Sequence, residues 1–224
     1  MRTTRENPYE AISRQESALA SNKVLRNTYA LLSMTLLWAA MVAGVAMMLN
    51  LPHPGMLITL AGFFGLLFLT HKTADSAFGL VSVFLFTGFL GYTLGPIVSA
   101  YMQFLPNGGQ VVAMALGGTG AIFLGLSAYA LSSRKDFSFM GGFLFVGILT
   151  AFLAGIAAWA FSMPGLSLAV SAMFVLLMSG LILFETSRII HGGETNYIRA
   201  TVTLFVSIYN LFLSLLHLLG FAND

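Results

Sequence analysis

Three ionisable residues and four small polar ones sit where a hydrocarbon environment would make them costly. Glu185 follows an uncharged run from Gly165 to Phe184, and Arg188 comes three residues later. At that spacing the two side chains share one helical face, so an i,i+3 ion pair reaching toward the headgroups is one reading. The other is a functional acid inside the membrane, a proton sensor or a polar latch between helices. Further on, Thr203, Ser207, Asn210, Ser214 and His217 recur at steps of four, three, four and three. At 100° per residue they fall within an arc of about 80°. Such a stripe does not face lipid. It reads either as a hydrogen-bonded seam against neighbouring helices, each contact worth about 0.6 kcal/mol, or as the wall of a hydrated cavity or proton path.

Other chemistry is poorly represented. Ser167 and His217 suggest a Ser-His pair, but Leu168 stands where a GxSG motif needs glycine and no oxyanion donors can be assigned. His53, His71, His191 and His217 show no metal-ligand spacing. GGTGAIF (117–123) lacks the Lys-Ser/Thr of a phosphate loop and the third glycine of a dinucleotide fingerprint, and reads as a packing surface. With no cysteine, thiol and Cys-metal chemistry are excluded. The expectation is a protein that is not an enzyme, with no cofactor, no metal, no nucleic-acid partner and no evident small-molecule substrate.

The elements that must position these residues follow from composition. Of the 224 residues 58% are hydrophobic and only 8% charged, and mean hydropathy is +0.88. That much apolar surface cannot be hidden inside a water-soluble globule, so the lipid bilayer is the solvent. Seven apolar runs, near 27–49, 54–70, 77–99, 110–131, 139–161, 166–187 and 200–219, are each long enough to cross a hydrocarbon core of about 30 Å as a helix. The polar residues ahead of the first run do not read as a cleavable signal.

The basic residues set an orientation. Arg2, Arg5, Arg14, Lys23 and Arg26 precede the first run, and Lys72, Arg134, Lys135, Arg188 and Arg199 lie in or beside even-numbered loops. All ten therefore fall on one side of a seven-span chain, which predicts a cytoplasmic N-terminus and a periplasmic C-terminus. The division is a polar cytoplasmic tail, residues 1–25, and an all-α seven-transmembrane-helix bundle, residues 26–224. Residues 1–22 are polar and mixed in charge, as expected of a segment that stays irregular or folds on contact. Gly88, Gly91 and Gly95, then Gly117, Ala121 and Gly125, then Gly147, Ala151, Ala154 and Ala158 are spaced for close packing between helices of the bundle.

FETSRIIHGGETNYIRAT (184–201), YNLFLSLLHLLG (209–220) and TGFLGYTLGPI (87–97) resemble the Bax inhibitor-1 family of seven-helix membrane proteins. KVLRNTY (23–29), FLTHKTA (68–74), VVAMALGGT (111–119) and SRKDFSF (133–139) extend the similarity to its bacterial branch, from Lys23 to Phe221. One implication of the resemblance is a pH-sensitive calcium leak, in which an acid on the sixth helix faces a second on the seventh. Those positions map onto Glu185 and, three residues before Asn210-Leu211-Phe212, onto Ser207, so the second carboxylate is missing here. The other, drawn from the bacterial branch, is a regulator in the bacterial inner membrane. It would bind the membrane-anchored AAA protease FtsH and restrain its degradation of membrane proteins, alongside that protease's stomatin-like associates.

Overall fold

The computed structural model describes the backbone of residues 8–223 and the side chains of residues 19–223. It contains seven helices: α1 (Pro8–Met48), α2 (Met56–Thr73), α3 (Phe78–Phe104), α4 (Gly108–Ser133), α5 (Gly141–Ala160), α6 (Pro164–Ile190) and α7 (Tyr197–Phe221). A 3-10 turn, Ser138–Met140, leads into α5, and no strand occurs among the described residues. All seven are long and apolar enough to cross a membrane.

The largest departure from expectation is α1. Its 41 residues span about 60 Å at 1.5 Å per residue, twice the hydrocarbon thickness. The polar stretch, expected to stay irregular or to fold on contact, is helical from Pro8 onward. Proline is well tolerated in a first helical turn, and no further proline or glycine interrupts the chain until Gly44. Residues 1–7 of that stretch lie outside the described residues.

α7 is the hub, packing against α1, α2, α3, α4 and α6. Leu204, Phe205, Ser207, Leu211 and Leu216 on it are at most 1% exposed. α5 is peripheral and packs on α6 alone among the long helices. Polarity is inverted relative to a soluble core. Leu57, Phe68 and Phe145 are at least 70% exposed, whereas Thr28, Thr35, Ser82, Thr87, Thr93 and Thr201 are fully buried. Several of these hydroxyls stay in hydrocarbon by bonding carbonyls one turn back, as in Thr87 to Val83 and Thr93 to Leu90.

The three small-residue series divide in use. A Cβ on Gly91 or Gly95 of α3 would strike the Ala39 or Ala43 carbonyl oxygen of α1, at 2.4 and 2.7 Å, so these glycines let two backbones touch. On α5, Gly147 receives Leu177 of α6, and Ala151 and Ala158 are buried. The α4 series is the exception and corrects the expectation. Gly117, Ala121 and Gly125 are exposed, and nothing lies within 4 Å of a Cβ placed on either glycine. That face looks outward because the opposite face of α4, with Val111, Ala115 and Thr119, is the one buried in the bundle.

Candidate functional site

The segment from Glu185 to Thr201 ties together the end of the bundle that carries the basic residues. α6 ends in HGG because Gly192 adopts φ 74°. This lets Gly193 N–H reach the Arg188 carbonyl at 2.8 Å and Gly192 N–H that of Ile189 at 3.3 Å, closing the helix in a Schellman turn. α7 restarts at an Asn196 cap, whose Oδ1 accepts from Ile198 N–H and Arg199 N–H at 2.9 and 3.1 Å. The same Asn196 donates from Nδ2 to the Ala74 carbonyl and to Asp75 Oδ1, 3.0 and 2.7 Å, and Arg199 pairs with Asp75. One asparagine thus caps α7 and fastens it to the end of α2.

Glu185 is buried within this knot, 1% exposed. Its Oε2 accepts from Arg188 Nη1 at 3.1 Å. Arg188 continues outward, donating from Nη2 to the Gly193 carbonyl at 3.2 Å and approaching Glu194 Oε2 at 3.5 Å, with its guanidinium 5.4 Å above the Phe184 ring. The second carboxylate oxygen, Oε1, is buried without a hydrogen-bond partner among the described residues, as is Thr28 Oγ1 of α1. Around the pair, Tyr29 of α1 shares a hydrogen bond with Thr186 at 3.3 Å, and Thr201 donates to the Thr28 carbonyl at 3.3 Å. Ser187 accepts from Phe137 N–H and donates to the Lys135 carbonyl, holding the α4–α5 loop. In that loop Asp136 accepts from Ser138 N–H at 2.8 Å, which holds its carboxyl below the usual carboxylate range.

The structure brings Glu185 and Arg188 together, but no hydrogen bond joins either to Ser207 or Asn210 among the described residues. The α7 stripe mostly serves its own helix. Thr203 donates to the Arg199 carbonyl, Ser207 to that of Thr203 and Asn210 to that of Val206, at 3.2, 2.8 and 2.9 Å. Ser214 is buried, and His217 alone in the stripe bonds across, its Nδ1 2.8 Å from Ser171 Oγ of α6. Of the hydrogen bonds the stripe makes among the described residues, the one from His217 crosses to another helix. The partner of His217 is Ser171, one turn along α6 from the Ser167 singled out from sequence.

Asn196, Asp75, Ser187 and Thr186 were not singled out from sequence. The Asn at the position before an apolar helix was the available signal for the first of these. The other three depend on contacts between elements that no local pattern records. No group of three or more His, Asp or Glu is placed to hold a metal ion among the described residues.

Seven apolar helices with α7 buried among them, knotted at the basic end by residues 185–201, define a multi-pass integral membrane protein. The chain belongs to the Bax inhibitor-1 family: the family model described as inhibitor of apoptosis-promoting Bax1 matches residues 21–224. It is 56% identical over 207 residues to the Modulator of FtsH protease YccA of Escherichia coli K12, covering 92% of this chain and 94% of that one. The same identity and coverage hold for the Inner membrane protein YccA of Escherichia coli O6:H1. An uncharacterized protein of Pseudomonas aeruginosa is 53% identical over 200 residues, 89% of this chain and 90% of its own. With relatives of this kind, its place is the inner membrane.

Proposed function

We propose that this protein is a regulator, not a catalyst, that binds the membrane-anchored AAA protease FtsH and restrains its degradation of other membrane proteins. The observation that carries this reading is the 56% identity, over 92% of the chain, to a protein named as a modulator of that protease. The architecture supplies what such a regulator needs. Its membrane-embedded faces offer a docking surface beside the protease, and its glycine-tightened α1–α3 contact resists extraction. A polar N-terminal segment, helical from Pro8, extends beyond the apolar part of α1 and gives an unfolding machine an end to sample. With all ten basic residues on one side, the N-terminus is cytoplasmic and the C-terminus periplasmic. Stomatin-like proteins that accompany the protease belong to the same assembly in this reading.

The calcium-leak alternative is less well served. At the position of the second acid stands Ser207, whose hydroxyl is committed to the Thr203 carbonyl. One carboxylate opposite a satisfied hydroxyl is a weak divalent-cation site.

The test is co-purification in mild detergent, combined with the turnover of other membrane substrates when the protein is overproduced. FtsH is expected to co-purify with the full chain and with a form lacking residues 3–18, the truncated form being degraded more slowly while still inhibiting. Absence of FtsH from the full-length preparation, with substrate turnover unchanged, rejects the regulator reading. In liposomes the protein is expected to pass little calcium and Ser207→Asp to pass more; strong flux through the unaltered chain favours the leak.

A further inference from the structure

α2 and α5 flank a gap. α2 is drawn onto α3, where Gly62 receives the Phe89 ring so closely that a Cβ would stand 2.3 Å from it. α5 is drawn onto α6, where Gly147 receives Leu177 and Gly180 receives Leu144. Each outer helix thus leans away from the other, and their backbones do not pack together. A single aromatic contact bridges them, Phe64 to Phe152, with ring centroids 5.8 Å apart. Behind it lies a cavity of about 560 Å³ at bilayer depth. Its rim is exposed, with Phe64 and Leu149 about half accessible, and its inner wall is buried, with Leu90 and Met178 at 1% and 2%. Val206 and Asn210 of the central α7 form the back.

Size and polarity choose the occupant. Phe64 and Phe152 touch across the mouth, with ring centroids 5.8 Å apart, so a helix about 10 Å across does not pass between α2 and α5, whereas a thin, flexible acyl chain suits the space. Each of the four polar residues on the wall makes a hydrogen bond within the protein, and the rest of the wall is aromatic and aliphatic. Thr59 donates to the Gly55 carbonyl, His53 accepts from Gly55 N–H, Tyr209 shares a hydrogen bond with Thr93, and Asn210 donates to the Val206 carbonyl. What is offered to a guest is chiefly aromatic and aliphatic surface, which orders little water. We propose that this cavity is a lateral lipid site that takes one acyl chain of a membrane phospholipid, admitted between α2 and α5 and laid against Val206 and Asn210 of α7.

The central position of α7 makes the test discriminating, because at the level of Val206 and Asn210 an acyl chain can reach it through this opening. The full-length protein is reconstituted in liposomes with a phospholipid carrying a photoreactive diazirine in its acyl chain, irradiated and mapped by peptide mass spectrometry. Adducts are expected on Val206 or Asn210 as well as on outward residues such as Leu57 and Phe68. Val206→Phe, which fills the cavity from behind, is expected to lower the α7 adducts at least five-fold; Leu181→Phe is a second filling variant should the first not fold. Labelling confined to outward residues, or α7 labelling unchanged by a folded filling variant, overturns the proposal. The chain has no cysteine, so Asn210→Cys gives a further check. Its modification by a membrane-impermeant thiol reagent as fast as Lys135→Cys in the exposed α4–α5 loop also overturns the proposal, because the cavity would then hold water.

Discussion

Glu185 presents one oxygen to Arg188 at 3.1 Å and keeps the other buried without a partner among the described residues. This asymmetry predicts unequal effects of removing either member. Arg188→Ala leaves a buried carboxylate without its cation, at a cost of about 3 kcal/mol. Glu185→Gln removes the charge that needs compensation and leaves Arg188 its contacts to the Gly193 carbonyl and Glu194, so its cost is expected near 1 kcal/mol. Thermal unfolding of both variants in detergent measures the difference. Equal losses show that the pair does not govern stability here. The i,i+3 contact was legible from sequence, since helical spacing alone brings the two side chains together. The unpartnered oxygen was not, because it depends on what α1 and α7 present to that face of α6.

Among the elements, the glycines of α3 and α4 have similar spacing and opposite environments. Gly91→Ala puts a methyl group 2.4 Å from the Ala39 carbonyl oxygen, and forcing α1 and α3 apart is expected to cost about 2 kcal/mol. Gly117→Ala meets nothing within 4 Å and is expected to stabilise α4 by up to about 1 kcal/mol through helix propensity. Unfolding midpoints of the two purified variants should move in opposite directions. A loss of stability in Gly117→Ala shows that this face of α4 packs against something in the purified state. Sequence could not separate the two series. A small residue permits close approach, but whether a helix or lipid fills the space depends on which way the helix is turned in the bundle.

For the molecule as a whole, orientation is the property open to a direct test. A reporter fused after the C-terminus is expected to act as periplasmic, and one inserted at 132–138 as cytoplasmic. Either result reversed rejects the assignment of sides, because all described basic residues share one end of the bundle. By itself the sequence determined the helix count, because seven runs of bilayer length leave no other fold available in hydrocarbon. It determined the common side of Lys and Arg, and through the 184–201 motif it pointed to the family that the comparison establishes. Tertiary structure alone decided that the polar stripe of α7 bonds mainly to its own carbonyls, that residues 185–201 knot α1, α2, α6 and the α4–α5 loop to α7, and that α2 and α5 stand apart around a cavity. The reason is physical. Helical periodicity assigns each residue to a face, but in a bilayer a neighbouring helix and a lipid tail are equally apolar, so only packed shape decides which of them that face meets.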